Sequence, residues 1–131
     1  MDPVNVVALA RQLVDVDSTT HREAEAGEVL AGVLEGLGWR VRRQPVDGAR
    51  ANVIATLSDD PPVVTFSTHY DCVPPFFPSR VEGDLLYGRG SCDAKGILAA
   101  QVAAAERLRV MGGTAIARLF VVAEERGSEG A

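Results

Sequence analysis

At 131 residues, with 47% hydrophobic and 24% charged positions, the chain has the size and composition of one folded domain, which excludes a disordered or low-complexity protein. Lys and Arg number 13 against 18 Asp and Glu, a formal net charge of −5, so no basic stripe recommends a nucleic acid partner. Nothing resembles a signal peptide or a membrane-spanning run, and two cysteines, Cys72 and Cys92, are too few for a disulfide framework; the expected setting is the cytoplasm, with no membrane partner.

Taken in chain order, the apolar positions Val6, Val7, Leu9, Ala10, Leu13 and Val14 recur at helical spacing, predicting an amphipathic helix from Pro3 to about Asp17 with Asp2 as a candidate cap. Ser18, Thr19 and Thr20 break it. A second helix is predicted from about Arg22 to Leu37, with Val29, Leu30, Val33, Leu34 and Leu37 as its stripe and Gly38 as its stop. Trp39, Val41 and Val46 alternate with Arg40, Arg42 and Arg43, the pattern of a half-exposed strand that turns its arginines to water. Asp47-Gly48 reads as a turn into a second strand, Asn52 to Leu57, so the two form a candidate hairpin.

Two apolar runs follow, Pro62 to Thr68 and Ala115 to Ala123, of the kind found in buried central strands. Between them lie a long proline-containing loop and a helix predicted from Asp93 to Met111, stopped by Gly112-Gly113. The strand, helix, strand order argues an α/β domain with a mixed β-sheet flanked by helices.

In open α/β sheets ligands gather at the carboxyl ends of strands, and the reactive residues cluster there in the sequence. His69-Tyr70-Asp71 follows the first buried run, Glu124-Glu125 follows the second, and Asp93 opens the helix between them. Zinc takes imidazole and carboxylate ligands, and a ligating histidine commonly holds its other ring nitrogen against a carboxylate, roles that suit His69 and Asp71. Residues i and i+2 of an extended segment lie on one side, within reach of each other. Two glutamates after an apolar strand are costly to bury unless a cation neutralises them; one could ligate while the other serves as a general base. Alone, H-x-D favours a loop histidine beside an unrelated aspartate, and E-E a solvated strand end.

Three segments together carry a resemblance: T-H-Y-D-C-V-P-P (68–75), Y-G-R-G-S-C-D-A-K-G (87–96) and A-E-E-R-G-S-E-G (123–130). In order and spacing the chain resembles the aminoacylase, acetylornithine deacetylase and succinyl-diaminopimelate desuccinylase family of zinc hydrolases. The resemblance implies a zinc-peptidase-like three-layer catalytic domain holding two zinc ions per complete site, or cobalt(II) in their place. It implies His69 as ligand of one ion, Asp71 as the carboxylate that orients it, Asp93 as the bridge, Glu124 as general base and Glu125 as ligand of the second ion. It also implies a cis peptide at Asp93-Ala94 and structural rather than ligating roles for Cys72 and Cys92. His21 reads as a surface residue.

The resemblance further implies two ligands outside this chain, an acid downstream of the glutamate pair and a histidine near the end of a longer protein. Glu129 is too close to the pair to serve, and His21 lies far upstream. The expectation is therefore a truncated N-terminal portion of the catalytic domain, inactive alone, whose parent acts on a small N-acyl amino acid or peptide and forms a homodimer through a lid domain absent here. A dipeptidase or carboxypeptidase is the alternative within the family. A structural or interaction module that kept the fold without the chemistry is the alternative outside it.

Overall fold

The computed structural model describes residues 4–113, 115–128 and 130–131. The expected cap Asp2, the expected helix start at Pro3, and Glu129 lie outside those residues. Helix α1 spans Val6–Val14 and is capped by Asn5, whose side chain accepts the Ala8 N–H at 2.9 Å. It stops short of the expected Asp17 because the Asp17 carboxylate accepts both the N–H and the hydroxyl of Thr19, at 2.9 and 2.7 Å, a local turn that competes with another helical turn.

Helix α2 spans Ala24–Gly36. Its end is closed by Gly38 at φ 94°, with Gly38 N–H donating to Glu35 and Trp39 N–H to Leu34, so the glycine is needed for its left-handed backbone. Strand β1 (Arg40–Asp47) returns through the Asp47-Gly48 turn as β2 (Arg50–Thr56), the predicted antiparallel hairpin, with an irregularity between Pro45 and Asp47. The β1 arginines differ from a purely solvated face. Arg43 donates to Glu28 and Glu35 of α2 at 2.8 and 2.9 Å, and Arg40 pairs with Asp59.

Strand β3 (Val64–His69) is followed by a small hairpin, β4 (Arg80–Glu82) with β5 (Leu85–Tyr87), inside the stretch expected to be a loop. Helix α3 (Lys95–Val110) then leads into β6 (Ile116–Val121). The main sheet has the order β1-β2-β6-β3; β6 runs antiparallel to β2 and parallel to β3, so the sheet is mixed and flanked by helices. Only β6 has the central position expected of both apolar runs. Strand β3 lies at the edge, with Val64 45% and Phe66 37% exposed.

The core forms where Leu9 and Leu13 of α1, Leu30 and Leu34 of α2, and Leu98 and Val102 of α3 meet Val53, Ala55 and Phe120 of the sheet. Two buried carboxylates tie helical segments to the sheet. Glu23, just before α2, pairs with Arg50 at the start of β2, and Glu106 of α3 accepts the Trp39 indole N–H at 2.6 Å while pairing with Arg109. Arg118, in the middle of β6, is buried beneath α3. Its guanidinium sits 4.6 Å from the Phe66 ring centre, donates to the Gln101 carbonyl, and leaves Nε and Nη1 without a hydrogen-bond partner among the described residues.

Candidate metal centre

The parallel pairing of β3 with β6 sets His69 opposite Val121, so both strands deliver their carboxyl ends to one rim of the sheet. Past Val121 the chain turns at Ala123, whose φ is 58° and whose carbonyl accepts the Arg126 and Ser128 N–H groups, and this turn presents Glu124 and Glu125. Asp93 arrives from the other side on the segment entering α3, and the Asp93-Ala94 peptide is cis.

The three arms meet at the His69 imidazole. Its Nε2 lies 2.9 Å from Asp93 Oδ1, 3.6 Å from Glu124 Oε2 and 4.0 Å from Glu125 Oε1. One donor atom from each of His69, Asp93 and Glu125 falls within 4.8 Å of the others. On its opposite side the ring faces Asp71, with Nδ1 2.9 Å from the backbone carbonyl and 3.3 Å from the carboxylate. A proton on Nδ1, donated to Asp71, leaves the Nε2 lone pair directed into the cluster, the arrangement a metal-ligating histidine requires.

The fully buried Asp71 carboxylate also accepts the N–H groups of Glu124 and Glu125, each at 3.0 Å, so one side chain orients the imidazole and holds the glutamate turn. Burial by itself would raise the Asp71 carboxyl, but the hydrogen bonds from His69 and from those two N–H groups hold it below its ordinary value. The contact with Asp71, opposed by burial, raises His69 to about 9. Glu125 is pushed up by burial and by the neighbouring Asp93 carboxyl. One imidazole nitrogen with several converging carboxylates is a donor set that suits a divalent ion such as zinc.

One supporting group, Lys95, had no reading in the sequence. Lys95 is 1% exposed and donates to the Val16 carbonyl at 2.8 Å, fastening the start of α3, next to Asp93, to the loop after α1. A lysine in the first turn opposes the helix dipole, a signal that it serves something other than the helix. Cys72 is buried, its thiol pushed up by burial, and packs so closely under Gly90 that a Cβ there would lie 2.5 Å from Sγ. Its backbone pairs with Ser18 and Thr20 of the segment after α1. Cys92 is exposed beside Asp93, and His21 is exposed. A cavity of about 180 Å³ opens at the cluster, walled by Val73, Gly88, Arg89, Cys92, Asp93 and Glu125.

A mixed sheet with an imidazole and carboxylates at the carboxyl ends of two parallel neighbours is an arrangement that suits a metal ion at the rim of an α/β domain. The fold is similar to that of a tripeptidase from Staphylococcus aureus, with a TM-score of 0.78 and 22% identity over 97% of this chain and 39% of that one. Residues 65–131 match the model of peptidase family M20/M25/M40, and the chain belongs to that family. It is 42% identical to a probable carboxypeptidase of Emericella nidulans over 99% of this chain and 33% of the relative. It is 41% identical to a succinyl-diaminopimelate desuccinylase of Gluconobacter oxydans over 80% of this chain and 30% of the relative. The chain thus spans about a third of the length of these relatives.

Proposed function

We propose that the protein to which these residues belong is a metal-dependent hydrolase of linear amide bonds that removes the acyl group from an N-acyl amino acid. The observation that carries this reading is the meeting of His69, Asp93, Glu124 and Glu125 around one imidazole nitrogen, beside an open cavity. His69, Asp93 and Glu125 would hold the metal, with Asp93 shared between two ions in a complete site. A divalent cation bound there supplies Lewis acidity toward the amide carbonyl and lowers the pKa of water.

The protein's own groups do the rest. Asp71 fixes the His69 ring and the glutamate turn. Glu124, whose side chain is half exposed 3.6 Å from His69 Nε2, takes the proton from the attacking water and returns it to the leaving amine nitrogen. The zinc assignment rests on the mixed nitrogen and oxygen donor set.

Cleavage of a C-terminal or dipeptide bond by the same groups is the second reading, supported by the likeness to the probable carboxypeptidase, which is as great as that to the desuccinylase. The test is product analysis with the longer protein, offering N-acetylornithine, N-succinyl-diaminopimelate and dipeptides with zinc or cobalt(II). Release of free amine from the acylated amino acids at rates well above those for peptides supports deacylation. The reverse preference assigns a peptidase, and no release from any of them overturns the hydrolytic reading.

A further inference from the structure

A second cavity, of about 600 Å³, lies between the β4–β5 hairpin and the segment before it, lined by Phe77, Ser79, Arg80, Tyr87, Gly88 and Arg89. It shares Gly88 and Arg89 with the smaller cavity that Asp93 and Glu125 wall, so the two flank the same arginine. The walls are aromatic: Phe77 is 52% and Tyr87 39% exposed, large apolar groups left open to solvent beside the cluster. Exposed rings gathered at a concave site mark a surface that takes a ligand.

The two arginines of this cavity differ. Arg80 sits 4.4 Å from the Tyr87 ring centre and is ion-paired with Glu82, so its charge is answered within the hairpin. Arg89 is half-buried, and among the described residues no carboxylate pairs with it. Its Nε donates to the Pro75 carbonyl at 2.9 Å, its guanidinium carbon lies 5.3 Å from the Phe77 ring centre, and its backbone N–H donates to the Phe77 carbonyl at 3.0 Å. Those contacts fix the guanidinium plane and use one of its five N–H donors, leaving the Nη groups without a partner among the described residues. A held, unanswered guanidinium against an aromatic face is suited to a carboxylate.

We propose that this aromatic cavity is a substrate subsite in which Arg89 binds a carboxylate of the molecule whose amide is cleaved at the adjoining His69–Asp93–Glu125 cluster, with an apolar group of that molecule between Phe77 and Tyr87. The proposal rests on the hydrolytic reading for the word substrate, but its geometry and its test do not. It selects acylated amino acids or peptides that carry a free carboxylate and an apolar side chain over neutral amides.

The test is titration of the metal-free 131-residue chain, in chelator, with N-acetyl-phenylalanine and with its uncharged primary amide, following backbone amide resonances. The expected result is movement centred on Gly88, Arg89 and Gly90 and a preference of about tenfold or more for the acid, the ratio that one charge-assisted hydrogen bond supplies. In Arg89→Gln the preference is expected to vanish, and in Arg89→Lys to be partly kept. Equal binding of acid and amide by the unsubstituted chain, or movement centred elsewhere, overturns the proposal. Should Arg89→Gln lose its dispersed spectrum, the comparison of acid with amide on the unsubstituted chain still decides. Because no turnover is read, a positive titration with no hydrolysis by the longer protein overturns the hydrolytic reading and leaves the binding site standing, whereas hydrolysis with a negative titration overturns the subsite alone.

Discussion

Glu124 and His69 make opposite demands on protons. Glu124→Gln in the longer protein keeps the size of the side chain and removes the base, so kcat is expected to fall by about 10²- to 10⁴-fold with metal content unchanged, measured by turnover beside metal analysis of the same sample. His69 in the metal-free chain is raised from its ordinary 6.5 to about 9 by Asp71, so its protonated form stabilises the fold. That contribution is fully present below pH 6.5 and is lost as the pH rises through 9; the Asp71 contribution, from a carboxyl held below its ordinary 3.8, is present above that value and lost on acidification. The urea midpoint of the metal-free chain is therefore expected to be highest between about pH 3.8 and 6.5 and to decline toward pH 9. An unchanged midpoint across the alkaline range would refute the His69 contribution. The placement of the five candidate residues was legible because each sits in a short motif at a strand or helix end. The structural role of Cys72 was legible too, but its partners were not, and Lys95 had no reading at all, because both make contacts with a segment more than fifty positions earlier in the chain.

At the scale of the elements, every long helix and strand of the sequence reading occurs in the structure, displaced by a few residues at its ends. Hydrophobic periodicity marks the middle of an element well, but its last turn is decided by side-chain hydrogen bonds such as that of Asp17 with Thr19. The β4–β5 hairpin escaped because strands of three residues are too short to show alternation, although Gly83-Asp84 between them is a turn signal. Strand order depends on pairings between distant segments, so the edge position of β3 could not be read from its apolar run. The Glu23–Arg50 pair shows what such distant ties do: Glu23→Ala would take the buried carboxylate from Arg50 and leave it the exposed Asp47 at 3.5 Å, and a loss of about 3 kcal/mol in urea unfolding is expected. Arg118→Met tests the opposite case. Burial lowers this guanidinium to about 10 and two of its nitrogens find no partner among the described residues, so an apolar replacement of similar length is expected to be neutral or stabilising in the same assay.

For the molecule as a whole, the donor count limits what this chain can hold. Among the described residues His69, Asp93 and Glu125 are the clustered donors, so with Asp93 shared each of two ions would have a single ligand of its own. Zinc titration of the 131-residue chain at neutral pH is expected to show weak uptake that tightens as the pH rises and His69 gives up its proton, with no measurable amide hydrolysis beside the longer protein. Tight binding of two ions would point to further ligands. The outermost position of β3 also has a colloidal consequence. One flank of that strand offers a row of backbone N–H and C=O groups to whatever extended chain drifts past, with exposed Val64 and Phe66 adding an apolar welcome. Concentrated solutions are therefore expected to cloud with time, light scattering rising steeply with protein concentration, and a charge set into the strand by Thr65→Lys should keep them clear.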